Sequence, residues 1–196
     1  MENKRSKYSA NGTRSTGRLQ RLQKKTKQKH EARSWILCIV IAVAAALLIR
    51  AFVFSIVLVD GESMYPTLYS HERVAIEKVS RYFNLPEYGD IIIVKYPYME
   101  GTYVKRTMGL PGDKLEVRDS TVYRNDEPLV EEYVNPEPYP DWGPYTVPEG
   151  HVFVMGDNRA HSLDSRAEVI GAIAQDQIEG HALFVIWPLT DIHAIN

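Results

Sequence analysis

The sequence predicts a mainly β protein preceded by a single membrane-spanning helix, and three observations carry that reading. Residues 35–49, WILCIVIAVAAALLI, form an uncharged apolar run. Beyond it the hydrophobic pattern changes from helical to alternating, with Val, Ile and Tyr enriched. Turns marked by Gly, Pro, Asn and Asp then interrupt the chain at short intervals.

The apolar run needs help to cross a bilayer. Fifteen helical residues rise about 22 Å, short of a hydrocarbon core of roughly 30 Å. The predicted span is therefore residues 34–54, with Arg50 snorkelling to the far interface. Residues 1–33 hold 11 Lys/Arg against 2 acids, while the remaining 163 residues hold 12 against 23, so a net charge of −2 hides two opposite parts. With Leu19 and Leu22 as almost its only aliphatic residues, the basic part cannot offset its ordering entropy and reads as a disordered tail. Its charge places it in the cytoplasm and sends residues 55–196 across the cell membrane as an extracytoplasmic β domain. The same run, 18–29, suits anionic lipid headgroups better than nucleic acid, and no nucleic-acid partner is expected. A cleaved secretory signal is the competing reading, since Ala42, Ala44 and Ala46 have cleavage-like spacing. The long basic leader argues against it.

The 196-residue chain has one cysteine, Cys38 inside the apolar run, so no intrachain disulfide can form. No HExxH pair, glycine-rich phosphate loop or clustered His/Cys spacing is present, and neither metal nor cofactor is expected.

Strands are predicted over 52–59, 73–79, 90–96, 102–108, 114–117, 121–124, 151–155 and 182–186. RDST and NDEP suit hairpin turns, and LPGD, with Pro111 and Gly112 at the centre, suits a type II turn. The proline-rich stretch 130–150 reads as a long irregular excursion.

Chemistry concentrates in three places. VDGESMYPTLYS ends the apolar run on a lone serine, Ser63, which needs a base to act as a nucleophile. None of the histidines carries a signature marking it as that base. In TYVKRTMGLPGD, strand alternation puts Tyr103 and Lys105 on one face and Val104 and Arg106 on the other. Burial could therefore neutralise Lys105 while its neighbour stays paired, although an exposed strand lysine is the ordinary alternative. In VMGDNRAHSLDSR, Asp157, Arg159, Asp164 and Arg166 alternate in sign, as a loop held by internal ion pairs would.

Together these segments resemble bacterial type I signal peptidases, in the single-anchor form. SMYPTL, GDIIIV, YVKRTMGLPGD and GDNRAHSLDSR occur in that family's order, and the resemblance covers residues 52 to about 188. It implies an all-β catalytic domain of a serine endopeptidase that removes signal peptides from membrane-bound pre-proteins after small residues. Ser63 would be the nucleophile and Lys105 the general base, with Ser162 orienting the Lys105 amine and the Ser63 N–H donating to the oxyanion. Asp157, Arg159, Asp164, Arg166 and Arg106 would brace the site. Val57, Val59, Leu68, Tyr103 and Val104 would line shallow substrate pockets. Gly61 departs from those members that carry a serine there as a second oxyanion donor, a contribution typically worth about 3 kcal/mol. A catalytically silent assembly factor at the membrane surface is the alternative, but it should have lost Ser63, Lys105 or Ser162. A self-cleaving Ser-Lys repressor would need a DNA-binding domain, of which the tail shows no pattern. The expected partners are pre-proteins and the bilayer, with the enzyme a monomer.

Overall fold

The computed structural model describes residues 33–195, so the predicted basic tail lies, except for Arg33, outside the described residues. Helix α1 spans Arg33–Phe52. Its 20 residues rise about 30 Å, and residues 35–49 expose uncharged side chains on every face, as suits a helix solvated by lipid. It is the one helix among the described residues long and apolar enough to cross a membrane.

The second compact unit is built of antiparallel strands: β1 (Phe54–Leu58), β2 (Arg73–Glu77), β3 (Ile91–Val94), β4 (Tyr103–Gly109), β5 (Lys114–Arg118) and β6 (Thr121–Arg124) come first. They are followed by β7 (Glu127–Pro128), β8 (Trp142–Thr146), β9 (His151–Met155), β10 (Ile173–Ala174), β11 (Ile178–Trp187) and β12 (His193–Ala194). The main sheet runs β1-β2-β11-β3-β4-β9-β10, with β12 on β11, and the second sheet runs β7-β6-β5-β8.

β3 explains why IIIV contains no polar residue: all four of its side chains are buried. Ile91 and Ile93 enter one core cluster with Val74, Ile76 and Val104, whereas Ile92 and Val94 enter another with Val152, Val154 and Ile173. A strand covered on both faces has no reason to alternate. A third cluster joins Met108, Phe153 and Met155 of the main sheet to Leu115, Val117 and Val122 of the second.

The local turn chemistry follows the sequence. Asp119 and Ser120, then Asn125 and Asp126, all take positive φ in two-residue hairpin connections. Gly112 has φ 88°, and Asp113 N–H donates to Leu110 O at 3.0 Å, closing LPGD.

Several predicted boundaries change, and the two-residue strands β7, β10 and β12 are added to the predicted set. The stretch 130–150, expected to be wholly irregular, contains β8 despite Gly143 and Pro144, because β8 is an edge strand and its outer side needs no ladder donors. β11 starts at Ile178, not residue 182, and register shifts at Ile178/Gly180 and Ala182/Phe184 explain why its alternation is broken. β1 begins at Phe54 because α1 extends through Phe52.

Ile93 is fully buried at the centre of the main sheet. Ile93→Ala is expected to cost about 2 to 5 kcal/mol of stability, read as a lower denaturation midpoint with an unchanged slope in chemical unfolding.

Candidate active site

The segment that follows β1 folds back on itself. Val59 N–H donates to Glu72 O at 2.8 Å and His71 N–H to Val59 O at 2.8 Å, closing residues 59–72 at their base. Gly61 has φ 102°, and nothing lies within 4 Å of where its Cβ would be, so its backbone conformation and not crowding calls for glycine. A tight turn follows, with Tyr65 N–H bonded to Glu62 O and Leu68 N–H to Met64 O at 3.1 and 2.9 Å. Buried Met64 and Leu68 anchor this turn in the core and leave Ser63 half-buried beside β4.

Lys105 reaches Ser63 from β4. Its Nζ donates to Ser63 Oγ at 2.7 Å and to Val104 O at 2.9 Å, and the residue is only 2% exposed. The register pairs Ile92 with Lys105 and Ile91 with Arg106, which puts the two cations on opposite faces of β4 as alternation requires. Burial pulls the Lys105 amine down to about 8, against the raising effect of Asp164 and Asp157.

The charged residues of the 156–166 loop are paired. Arg106 donates through Nε and Nη2 to both oxygens of Asp157, each at 2.9 Å, and Thr67 Oγ1 donates to Asp157 Oδ2 at 2.5 Å. Arg166 grips Asp164 through Nε and Nη2 at 2.8 and 2.9 Å, while Gly156 N–H donates to Asp164 Oδ2 at 3.0 Å. Arg159 is fully buried, its Nε donating to Gly156 O at 2.9 Å and its Nη atoms to Glu131. Burial opposes the Arg159 charge, but the Glu131 carboxylate outweighs that cost and raises its pKa above the usual arginine range.

Two backbone contacts lock this loop to the Ser63 turn. Asn158 N–H donates to Ser63 O at 3.0 Å, and Asn158 Nδ2 donates to Glu62 O at 3.1 Å. Gly156 packs so closely on Ser63 O and Ser162 Oγ that a Cβ could not be accommodated without movement.

Most of the predicted site residues converge, with three qualifications. The expected bond between Ser162 and Lys105 is not formed: Ser162 Oγ is buried without a hydrogen-bond partner, and Lys105 bonds Ser63 and Val104 O instead. Val59, Leu68 and Val104 belong to one core cluster, with Leu68 wholly buried and half-buried Val57 packed against it. Tyr103 packs on the opposite cluster, stacked on Tyr96 with ring centroids 4.1 Å apart. Glu131, Thr67, Gly156 and Asn158 were not singled out from the sequence. The last three lie within the quoted motifs, but nothing around Glu131 marks it as the carboxylate of a buried ion pair.

The family described as "Signal peptidase, peptidase S26" matches residues 32–187. Signal peptidase I of Bacillus licheniformis is 41% identical over 180 residues, covering 87% of this chain and 96% of the relative. Signal peptidase I T of Bacillus subtilis (strain 168) is 41% identical over 168 residues, covering 81% and 86%. A crystal structure of a signal peptidase I from Enterococcus faecalis V583 shares 36% identity, covering 50% of this chain and 97% of that one, with a TM-score of 0.44.

Burial of Lys105 has a stability consequence that can be measured. Below pH 8 both folded and unfolded chains carry the proton, and the folded state bears a desolvation cost of about 3 kcal/mol. Between about 8 and 10.4 the unfolded chain binds the proton that the folded chain has released, so this contribution to stability rises with pH. Lys105→Met is expected to melt above the unsubstituted protein at pH 7, with the gap narrowing by pH 10, in calorimetry at both pH values.

Proposed function

The chain belongs to the signal peptidase family, peptidase S26, and is a serine peptidase, and we propose that it cleaves signal peptides with Ser63 as nucleophile and Lys105 as general base. The observation that carries the residue assignment is the 2.7 Å contact between Lys105 Nζ and Ser63 Oγ, made by a lysine withdrawn from water. An amine with its pKa near 8 is about one-tenth neutral at pH 7, which is enough to accept a proton during attack.

In the neutral state the direction of the Ser63–Lys105 hydrogen bond reverses, and the hydroxyl donates to the amine. Ser63 Oγ attacks the scissile carbonyl as its proton passes to Lys105, giving a tetrahedral oxyanion to which the Ser63 N–H donates. The C–N bond then breaks, Lys105 returns the proton to the leaving amine, and the substrate acyl group stays on Ser63 as an ester. Water attacks that ester with Lys105 again taking a proton, and collapse releases the carboxylate product and the free Ser63 hydroxyl. Ser162, half-buried with its hydroxyl unpartnered, lies against Gly156 beside the Ser63 carbonyl.

The substrates are membrane-held pre-proteins, cut after small residues. Helix α1 anchors the chain, with the N-terminus cytoplasmic and the β domain extracytoplasmic. Confinement of enzyme and substrate to one membrane raises their effective concentration.

Ser63→Ala and Lys105→Ala, each in the full anchored chain, are expected to lower cleavage of a signal-peptide pre-protein about a thousandfold. Mass spectrometry of the new N-terminus reads the product, and normal cutting by either variant rejects the pair. In the unsubstituted enzyme the rate should rise through about pH 8 and then level off, following deprotonation of Lys105. A rate still climbing at pH 10 would count against a buried neutral base.

A further inference from the structure

The peptide bond that joins Glu62 to Ser63 carries two groups in one plane: the Glu62 carbonyl and the Ser63 N–H. Whatever fixes the first therefore aims the second. Asn158, 3% exposed, donates from Nδ2 to Glu62 O at 3.1 Å, and its backbone N–H holds Ser63 O at 3.0 Å. One asparagine thus grips the carbonyl oxygens on both sides of the Ser63 backbone.

The Asn158 amide is itself held. Asn135 Nδ2 donates to Asn158 Oδ1 at 3.2 Å, and the Asn135 N–H donates to Asp157 O at 3.3 Å. Asn135 lies in the proline-rich segment between β7 and β8, outside every motif of the site. That segment is secured nearby by Glu131, whose two oxygens accept from Arg159 Nη2 and Nη1 at 2.6 and 2.9 Å. Tyr133 adds to this by donating its hydroxyl to Glu131 at 2.8 Å, its ring lying 3.8 Å from the Arg106 guanidinium.

We propose that Asn135 and Asn158 form an amide relay that sets the plane of the Glu62–Ser63 peptide, and that both are positioning residues for the oxyanion-binding N–H of Ser63. The proposal rests on the assignment of Ser63 as nucleophile. Neither asparagine makes a hydrogen bond to Lys105 or to the residues expected to line the substrate pockets, so the relay should act on the transition state and spare substrate binding. Gly61 gives the relay added weight, because its own N–H is bonded to Ser70 Oγ at 3.3 Å, and no serine side chain stands there to share the oxyanion.

The test uses the full chain in detergent micelles with a signal-peptide pre-protein as substrate. Asn158→Ala is expected to lower kcat about a hundredfold and Asn135→Ala about tenfold, with KM within twofold, as misdirecting an oxyanion donor would. The midpoint of the pH–rate profile should stay at about 8 in both, since the surroundings of Lys105 are intact. Asn135 is half-buried and keeps its backbone bond on substitution; if Asn158→Ala does not fold, Asn135→Ala alone decides. A folded Asn135→Ala enzyme with kcat within twofold of normal, with its loss confined to KM, or with a displaced pH midpoint overturns the relay. Ser63→Ala run alongside separates the two readings: if it still cuts, the nucleophile assignment fails, whatever the asparagine variants do.

Discussion

A lysine held out of water beside a serine hydroxyl is the constraint on which the site depends. Burying an ammonium group opposes stability, and the fold accepts that cost where an apolar side chain would relieve it. Lys105 is on β4, whose neighbours β3 and β9 are buried along nearly their whole length, so the strand can hold a charged group away from solvent without local rearrangement. On an edge strand such as β1, whose side chains are alternately exposed, the same lysine would remain hydrated and protonated at neutral pH.

The acids around Lys105 make that burial harder to exploit. Asp164 and Asp157 each favour the charged amine and would draw its pKa back toward that of a free lysine. Each is clasped by an arginine through two hydrogen bonds, Asp157 by Arg106 and Asp164 by Arg166. A carboxylate paired in this way projects much less net charge on a neighbour than a bare one does. The alternating signs of the 156–166 loop therefore have two effects: they fix the loop's shape, and they limit the field of the carboxylates on the amine. Arg166 also acts directly, since its charge lowers the Lys105 pKa.

The legible parts of the sequence were those in which a local rule and the tertiary environment agree. The opposite faces of Lys105 and Arg106 follow from strand period alone, and the hairpin turns follow from Asp, Ser and Asn residues that tolerate positive φ. β8 was hidden because Gly143 and Pro144 signal a breaker, and only its edge position makes them acceptable. The partnership of Glu131 with Arg159 could not be read, since a carboxylate in a proline-rich stretch has no periodicity to place it and its partner is distant in sequence. Motif position implies a Ser162–Lys105 hydrogen bond, but in the structure that hydroxyl is unpaired and Lys105 bonds Ser63 and its own strand's Val104 carbonyl.

Gly61 and Gly156 show how two identical residues serve this site for different reasons. Gly61 has open space around it and a φ of 102°, so it lets the chain reverse out of β1 toward Ser63. Gly156 has ordinary backbone angles and no space, because Ser63 O and Ser162 Oγ press against the position a side chain would take. The Ser63 turn and the 156–166 loop can then approach until Asn158 bonds the backbone on both sides of Ser63. A methyl group at position 156 would separate two segments whose contact fixes the direction of the Ser63 backbone, leaving the Lys105 side chain to reach a displaced hydroxyl. The geometry of the pair therefore depends as much on a missing side chain as on the lysine and serine themselves.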